Sequence, residues 1–245
     1  MRRFLRPDLA PKVVSALARK QKRTNTSRAA GGLKIEAAWN SARKTKPLKA
    51  ALAPLKTMVG QRERCMYCGD SHGTDIEHFW PKATYPQRMF CWPNLLLSCT
   101  DCGRIKGTDF PLQNGEPLLV DPTAEDPWLH LDFDPATGNL VSRFDPATAT
   151  WDEKGENTVQ VLELDRREAL AAGYQKTHRR LTGLVEAAVQ DASPFPTALK
   201  DALHEADEHG LLGWCFNGTG QTLPPFCDLR QKHPTVWEAC AQTLT

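Results

Sequence analysis

The chain has 245 residues, of which 40% are hydrophobic and 24% are charged, and this allows a core of ordinary size in one compact domain with an extension or in two small domains. The formal net charge is +2, but residues 1–64 contain 17 Lys and Arg against 3 Asp and Glu, whereas residues 65–245 contain 14 against 26. No apolar run reaches the roughly 18 residues of a membrane span, and the N-terminus lacks the apolar segment of a signal peptide. These features exclude a membrane protein and favour a cytoplasmic one.

The N-terminal quarter is predicted to be helical and basic. Apolar residues at helical spacing predict a helix over 8–24, a loop over 24–33, and a second helical stretch over 33–60 that is interrupted near Pro47 and Pro54. The excess of cations there favours contact with a polyanion or with an acidic protein surface. A solvated helix face is the plainer explanation of the same charge.

The C-terminal half is predicted to change from strands to helices. Residues 117–162 are expected to contain strands and turns, including a hairpin that turns at 135–138 and a strand at 158–162. The segments that follow are helices over 165–190, 196–209 and 234–244, and a loop-rich stretch over 210–225.

Two Cys-x-x-Cys pairs between these regions have the spacing of zinc ligands. They are Cys65 with Cys68 and Cys99 with Cys102. Four thiolates bind Zn²⁺ tetrahedrally and leave no open position, which is typical of a structural site. In a reducing compartment such pairs indicate metal binding rather than disulfides. The 30 residues between the pairs are therefore expected to fold as an insert whose ends the metal holds together.

The insert is predicted to contain a hairpin and a helix, in the order ββα. The predicted elements are strands at 76–79 and 90–97 and a helix at 100–107. This arrangement places Glu77 and His78 on the first strand and Asn94 near the second. Because consecutive residues of a regular strand point to opposite faces, Glu77 and His78 share one site only if the strand ends or bulges there.

The three side chains match the needs of phosphodiester hydrolysis. The reaction requires a divalent cation to neutralise the phosphate and a base to deprotonate water. An imidazole has a suitable pKa for the base, and a carboxylate is a natural ligand for Mg²⁺ or Mn²⁺. An asparagine can orient the imidazole by hydrogen bonding or hold the loop in shape.

Short motifs in this stretch resemble the HNH endonuclease superfamily, and more specifically the HNH nuclease subunits of the Septu and retron anti-phage systems. The matching motifs are Cys-Met-Tyr-Cys at 65–68, Ile-Glu-His-Phe-Trp-Pro-Lys at 76–82, Trp-Pro-Asn-Leu-Leu-Leu-Ser-Cys at 92–99, Cys102, Lys106-Gly107 and Phe110-Pro111. The resemblance is specific over about residues 65–122, looser to about 185 and weak elsewhere.

The resemblance implies an α+β fold with a zinc-stapled ββα-metal core of the HNH or His-Me finger type. That core would occupy residues 65–122, between a basic helical region at 1–64 and an α+β region at 123–245 that is helical from about 165 and includes a small β-rich extension. Such a protein can also form an oligomer.

The resemblance also implies metal-dependent cleavage of nucleic acid, with DNA favoured over RNA, usually under the control of a partner ATPase. It makes His78 the general base, Glu77 a ligand of a catalytic Mg²⁺ or Mn²⁺, and Asn94 the central asparagine. No Walker-type phosphate loop occurs in the chain, so any use of ATP is expected from a second protein. Lys82, Arg104 and Lys106 are candidates for phosphate contacts, although ordinary surface charge explains them equally well.

One position departs from the pattern of the superfamily. The residue after the last cysteine is commonly His or Asn and binds the catalytic metal, but here it is Gly103. Asp101 or Asp109 can supply the missing oxygen, or the ion can rely on Glu77, water and substrate phosphate. Alternatively, the catalytic site is weak or inactive.

Two other classes of function stay open at this point. In the first, the zinc-stapled unit binds nucleic acid or a protein without cutting, and Gly103 marks a lost metal site. In the second, one Cys-x-x-Cys pair is a redox centre, and stoichiometric zinc bound by four protected thiols would argue against that.

Overall fold

Helices are the main regular elements of the computed structural model, which describes residues 1–242. The helices are α1 (Pro11–Ala29), α2 (Ile35–Arg43), α3 (Lys46–Val59), α4 (Thr100–Lys106), α5 (Glu153–Leu162), α6 (Glu168–Gln190), α7 (Pro196–Ala206), α8 (Leu212–Phe216), α9 (Phe226–Lys232) and α10 (Pro234–Ala241). The strands are β1 (Asp75–His78), β2 (Leu95–Ser98), β3 (Leu112–Gln113), β4 (Glu116–Pro117), β5 (Leu131–Phe133), β6 (Leu140–Ser142), β7 (Phe144–Asp145) and β8 (Thr150–Trp151). Consecutive strands pair into four antiparallel hairpins, so the fold is of the mixed α+β class that was predicted.

The N-terminal helices are confirmed, but their ends differ from the prediction. α1 begins with a proline, which the first turn tolerates, and it continues five residues beyond the predicted end at residue 24. The second stretch divides into α2 and α3 at residues 44–45. Pro47 lies in the first turn of α3, and Pro54 lies inside α3 without ending it.

The predicted hairpin and helix of the insert are both present, but the second strand begins at Leu95, five residues after its predicted start. β1 pairs with β2 in a register that places Glu77 opposite Leu96 and His78 opposite Leu95. A short 3-10 helix, Trp92–Asn94, leads into β2, and α4 follows β2 after a single residue. The side chains of Leu95, Leu96 and Leu97 are fully buried, so β2 lies in the protein core.

The strand predicted at 158–162 is wrong, because this segment is the second half of α5. Asp152 caps the helix through its side chain, which accepts a hydrogen bond from the N–H of Gly155 at 2.7 Å. The buried positions are Gly155, Thr158, Val159 and Leu162, which is helical spacing. The hairpin predicted around 135–138 is confirmed as β5 and β6.

The C-terminal helices follow the prediction with two additions. α6, α7 and α10 occupy predicted helical segments, although α7 ends at Ala206 rather than at residue 209. α8 lies in the stretch that was predicted to be loop-rich, and α9 was not predicted. The predicted end of the last helix at Leu244 lies outside the described residues.

One large hydrophobic core draws on every part of the chain. It includes Phe4 and Leu55 from the N-terminal region, Leu96 from β2, and Leu181 and Trp214 from the C-terminal helices. A second, smaller core joins the N-terminal helices to the loop before β2, and its members are Leu9, Leu17, Trp39, Ala42, Leu48, Ala51, Met89 and Phe90. Within the part of the chain that the structure describes, no helix has both the length and the hydrophobicity that crossing a membrane requires.

Candidate metal centre and adjoining hairpin site

Four cysteine thiols lie together where the two Cys-x-x-Cys turns meet. The Sγ atoms of Cys65, Cys68, Cys99 and Cys102 lie within 4.8 Å of one another, and all four residues are buried. Hydrogen bonding among the thiols, first of all with Cys102, lowers the pKa of Cys68 and lowers that of Cys99 to about 7. In the same cluster, burial raises the pKa of Cys65, and hydrogen bonding with Cys65 raises that of Cys102. Four sulfur donors at these distances fit a tetrahedral Zn²⁺ ion. The structure thus brings together all four cysteines that their spacing predicts as zinc ligands.

Tight backbone turns hold the two cysteine pairs. At the first pair, the N–H of Gly69 donates to the carbonyl of Cys65 at 2.9 Å, and Gly69 has a left-handed φ of 64°. A Cβ atom at this glycine would lie 2.8 Å from the carbonyl oxygen of His209, so a side chain does not fit here. At the second pair, the Sγ of Cys99 accepts a hydrogen bond from the N–H of Cys102 at 3.4 Å and caps α4.

The C-terminal region also contacts the cysteine cluster. The guanidinium of Arg167, just before α6, donates through Nη1 to the Sγ of Cys102 at 3.2 Å. The hydroxyl of Tyr174, on α6, donates to the carbonyl oxygen of Cys68 at 3.1 Å. Four thiolates around Zn²⁺ leave a net negative charge, which the guanidinium partly offsets. Contacts of this kind would orient the four cysteines as metal ligands from outside the coordination sphere, and they tie α6 to the cysteine cluster.

The imidazole of His78 is buried on one face of β1. The residue is 3% exposed, its Nε2 bonds to the carbonyl oxygen of Met89 at 3.0 Å, and the Trp39 ring packs on it with centroids 4.4 Å apart. Because a carbonyl only accepts hydrogen bonds, Nε2 carries the hydrogen and Nδ1 keeps the lone pair. Burial is the main cause that lowers the pKa of His78 to about 3, so the ring is uncharged at neutral pH.

The second nitrogen of this ring, Nδ1, keeps its lone pair. Within residues 1–242, the one hydrogen bond of the side chain is made by Nε2. Nδ1 is therefore the atom of this ring through which a proton could be accepted.

Glu77 lies on the opposite face of β1, against α4. Its Oε1 is 3.2 Å from the Nζ of Lys106, which also donates to the carbonyl oxygen of His78 at 3.0 Å. The Lys106 side chain has no exposed surface, whereas 20% of the Glu77 side chain is exposed. Burial raises the pKa of Glu77 and lowers that of Lys106, and the attraction between the two charges opposes both shifts.

Glu77 and His78 point to opposite faces of β1 in this conformation, and β1 ends at His78. β1 pairs regularly with β2 through both residues, without a bulge. Successive side chains of a regular strand point to opposite faces. Glu77 therefore faces Lys106 on α4, and His78 faces Trp39 on α2 and the carbonyl of Met89.

Position 103 of α4 faces the Glu77 carboxylate. A Cβ atom at Gly103 would lie 3.4 Å from Oε2 of Glu77, which is ordinary van der Waals contact. A longer side chain at this position would reach the carboxylate, but glycine has none. The alternatives Asp101 and Asp109 are both exposed. Within residues 1–242, the only cluster of three or more metal-ligating side chains is the set of four cysteines, so the structure places neither aspartate in a second metal cluster.

Asn94 binds the backbone rather than the imidazole. Its Oδ1 accepts a hydrogen bond from the N–H of Trp80 at 2.7 Å, and its Nδ2 donates to the carbonyls of Trp80 at 3.1 Å and Arg88 at 3.0 Å. Of the two predicted roles, orientation of His78 and maintenance of the loop, these contacts match the second. Because Arg88 precedes Met89, they also steady the carbonyl that binds His78.

The three basic candidates for phosphate contact have different surroundings. Lys106 is fully buried in its ion pair, so a direct contact with a phosphate at the surface is excluded in this conformation. Lys82 pairs with Glu36 at 3.1 Å, and 24% of its side chain is exposed. Arg104 is exposed on α4 and remains accessible.

Sequence reasoning missed three groups that define the surroundings of the site. They are the Trp39 ring and the Met89 carbonyl at His78, and the Arg167 guanidinium at Cys102. Each comes from a segment distant in sequence, and no local motif marks any of them. Only a signal of spatial contact between distant positions would have identified them.

The fold and the cysteine cluster define the class of this protein. It is a mixed α+β protein whose candidate zinc centre lies where the β1–β2 hairpin meets the start of α4. No family model matches the chain. The chain is similar to the Septu protein PtuB of Bacillus thuringiensis, with 34% identity over 112 residues that make up 44% of this chain and 38% of that protein.

Two further curated relatives have similar coverage. The Septu protein PtuB of Bacillus mycoides (strain KBAB4) is 32% identical over 136 residues, which make up 43% of this chain and 44% of that protein. Protein ea31 of Escherichia phage lambda is 28% identical over 127 residues, which make up 47% of this chain and 43% of that protein. The chain therefore spans less than half the length of each of these relatives.

Proposed function

We propose that this protein is a zinc-stabilised endonuclease of the HNH type that cleaves nucleic acid, with DNA favoured over RNA, in an anti-phage defence system. The defence role is supported by the similarity to two proteins named Septu protein PtuB. The nuclease role is supported by the hairpin and α4, which follow the predicted ββα order and carry the candidate side chains at the cysteine cluster.

The observation that carries the proposal is the state of His78. Its Nε2 hydrogen is held by the Met89 carbonyl, so the lone pair lies on Nδ1, and the ring is neutral. A neutral imidazole whose one nitrogen is anchored has a free lone pair on the other, through which it can accept a proton. Burial makes the ring a weak base in this conformation, so the proposal requires that the phosphate of the bound substrate raise the pKa of His78 toward neutrality. In the proposed mechanism, Nδ1 of His78 takes the proton of the attacking water.

Glu77 is the residue that would hold a catalytic divalent ion. Mg²⁺ commonly keeps several waters and binds through one or two carboxylates together with substrate phosphates, so a single carboxylate beside Gly103 fits an ion that the nucleic acid helps to bind. Such an ion supplies neutralisation of the charge on the phosphate and the leaving oxygen. Lys106 must then share or release the Glu77 carboxylate.

The two faces of β1 restrict how a phosphate can approach. Among the described residues, β1 has β2 as its strand partner on one edge and none on the other, and β1 ends at His78. A phosphodiester that meets both Glu77 and Nδ1 of His78 must therefore lie at the unpaired edge of β1, near the end of the strand. The exposed Arg104 is available for the rest of the phosphate backbone. Control by a partner ATPase is part of this proposal.

The experiment is cleavage of plasmid DNA by the zinc-loaded protein with Mg²⁺ or Mn²⁺. Wild type should nick or linearise the plasmid, and His78→Ala and Glu77→Gln should each lower the rate by at least about a hundredfold, because each removes a group required in the transition state. His72→Ala is the matched control, since His72 is exposed and lies outside the proposed machinery.

A non-catalytic binding module is the second candidate, and the ion pair between Lys106 and Glu77 favours it. In that function the ammonium of Lys106 stays paired with the carboxylate of Glu77 and keeps a divalent ion from binding there. Gly103 then marks the position of a lost metal ligand. Wild type would then bind nucleic acid or a protein without cutting, even with a partner ATPase present. Cleavage by wild type that is equal to cleavage by both site variants would reject the nuclease proposal.

A further inference from the structure

An apolar groove runs between α1 and the segment that leads into β2. One wall is formed by Leu9, Val14 and Leu17, and the other by residues 90–93, around a volume of about 640 Å³. Val14 is 50% exposed although it is apolar. Gln21, Lys22, Asn25 and Thr26 complete the rim. An open apolar surface of this kind is characteristic of a binding site.

The helix beside the groove carries positive charge that is not balanced within the protein. α1 contains six cations and no acidic residue, and the cations are Lys12, Arg19, Lys20, Lys22, Arg23 and Arg28. None of them forms an ion pair with another residue of the described chain. By contrast, Arg62 in the same N-terminal region pairs with Glu208 at 2.8 Å.

We propose that this groove binds an acidic amphipathic helix of a partner protein. The apolar face of such a helix would cover Val14 and the Trp92 side of the groove, and its carboxylates would meet the cations of α1. A nucleic acid backbone satisfies the cations but leaves the apolar walls without a partner. Lys22 is the α1 cation that lines the groove, and the other five lie elsewhere on the helix. Apolar walls together with this cation and the net positive charge of α1 therefore favour a protein helix.

The groove is linked to the segment that anchors His78. The side chain of Gln21, on the rim, accepts a hydrogen bond from the N–H of Phe90 at 2.7 Å and donates to the carbonyl of Pro86 at 2.9 Å. Met89, between them, holds Nε2 of His78. A partner helix that contacts Gln21 and residues 90–93 would therefore shift or fix the Met89 carbonyl, and with it the position of the His78 ring. This consequence rests on the proposed nuclease function, whereas the docking itself does not.

Docking is tested with a fluorescent synthetic helix of about four turns, with Leu on one face and Glu on the other, added to the full-length zinc-loaded protein. Fluorescence anisotropy should show binding, and a peptide with Lys in place of Glu should not bind. Val14→Arg in the wall should weaken binding about tenfold or more, which is the range of an interface hot spot. Leu223→Arg is the matched control, because Leu223 is also exposed but lies outside the groove.

The rim charge has its own control pair. Lys22→Glu should weaken binding more than Lys12→Glu, because both change the net charge equally but only Lys22 lines the groove. As an independent readout, the peptide should slow alkylation of Cys91, which lines the groove, and not that of Cys227, which is also partly exposed but lies on α9.

Three outcomes overturn the proposal. The first is no binding of the acidic peptide to wild type. The second is equal loss of binding in Val14→Arg and Leu223→Arg. The third is protection of Cys91 by a DNA duplex rather than by the peptide, together with tighter binding of DNA to Val14→Arg, which would make the groove part of a nucleic-acid track. None of these readouts uses cleavage, so failure of the docking proposal is distinguishable from failure of the nuclease proposal.

Discussion

Lys106 brings an ammonium group into the space between β1 and α4, where its side chain has no exposed surface. Moving an ion out of water costs several kcal/mol, and this cost is offset only by close contacts with opposite charge and hydrogen-bond acceptors. The Glu77 carboxylate and the His78 carbonyl provide those contacts. Glu77 therefore has a counter-charge in the protein itself, and a divalent ion at this carboxylate has to compete with it.

Removal of the Lys106 ammonium should show how far the buried Glu77 carboxylate depends on this partner. Lys106→Met leaves Glu77 without its partner in a mostly buried place, so the free energy of unfolding should fall by about 3–5 kcal/mol. Urea denaturation of the zinc-loaded protein measures the change. The double variant with Glu77→Gln should recover part of the loss, because no unpaired charge remains. Additive effects in this cycle would mean that the two groups do not interact.

Gly103 is the second residue whose substitution is informative. In Gly103→Asn the amide would point toward Oε2 of Glu77 and add an oxygen donor beside the carboxylate. We expect the affinity for Mn²⁺, measured by electron paramagnetic resonance of the free ion, to rise about tenfold or more, the scale of effect that even indirect changes at metal sites produce.

The control for this substitution is Gly183→Asn. Gly183 is also a helical glycine, and a Cβ atom there would have no neighbour within 4 Å. The two variants therefore share the change in stability that replacing a helical glycine causes. Only the side chain at position 103 faces the Glu77 carboxylate. Equal Mn²⁺ affinities in both variants and wild type would mean that position 103 is not at a metal site.

At the scale of elements, the cysteine cluster is the junction of three parts of the chain. It joins the turn that follows α3 to the end of β2 and the start of α4, and Arg167 and Tyr174 attach α6 to it. A structural zinc site of four cysteines contributes about 10–16 kcal/mol in small peptides, whereas whole domains are stable by only about 5–15 kcal/mol. The hairpin, α4 and the docking of α6 should therefore all depend on the metal.

Loss of the metal should unfold more than the insert. Chelation, or the substitution Cys99→Ser, should release the metal, lower the melting temperature strongly, and increase hydrogen exchange in β2, α4 and α6. Metal analysis and hydrogen-exchange mass spectrometry measure these effects. Cys227→Ser serves as the control because Cys227 lies outside the cluster. A protein that keeps its melting temperature and exchange pattern after complete chelation would contradict this role.

Elements with a strong local signal were predictable from the sequence. Proline at the start and helical spacing identified α1, and the turn at 135–138 identified the hairpin of β5 and β6. The segment at 158–162 was assigned to a strand because its β-branched residues alternate with others, whereas the cap from Asp152 makes the same residues the end of α5. The side-chain cap at Asp152, six residues before Thr158, outweighed the strand preference of residues 158–162. The helix that follows this cap determines the conformation of those residues.

At the scale of the molecule, the basic N-terminal region packs against the remainder of the protein. Its Trp39 is 6% exposed and contacts the rings of His78, at 4.4 Å, and Phe90, at 5.9 Å. The positive and negative parts of the chain also meet in ion pairs, including Arg43 with Asp75 at 3.5 Å. The charge asymmetry of the sequence is therefore partly neutralised between regions, and the six cations of α1 are among those that form no ion pair within the described residues.

Truncation of Trp39 should change both the stability of the protein and the accessibility of His78. Trp39→Ala should lower the free energy of unfolding by about 3–5 kcal/mol, because a large buried ring is replaced by a cavity. It should also expose His78, whose reaction with diethyl pyrocarbonate should become faster. Chemical denaturation and mass spectrometry measure the two effects. Unchanged reactivity of His78 in a destabilised but folded variant would show that Trp39 does not cover the imidazole.

The spacing of the cysteines was sufficient to predict that four thiols lie together, because each Cys-x-x-Cys turn is local and two such pairs have the ligand spacing of a zinc site. The order of strand, strand and helix in the insert was likewise readable from local pattern. The tertiary structure decided which face of β1 the side chains of Glu77 and His78 occupy and which groups contact them there. Trp39, Met89 and Lys106 approach Glu77 and His78 from distant segments, and burial and pairing between distant segments exist only once the chain has folded.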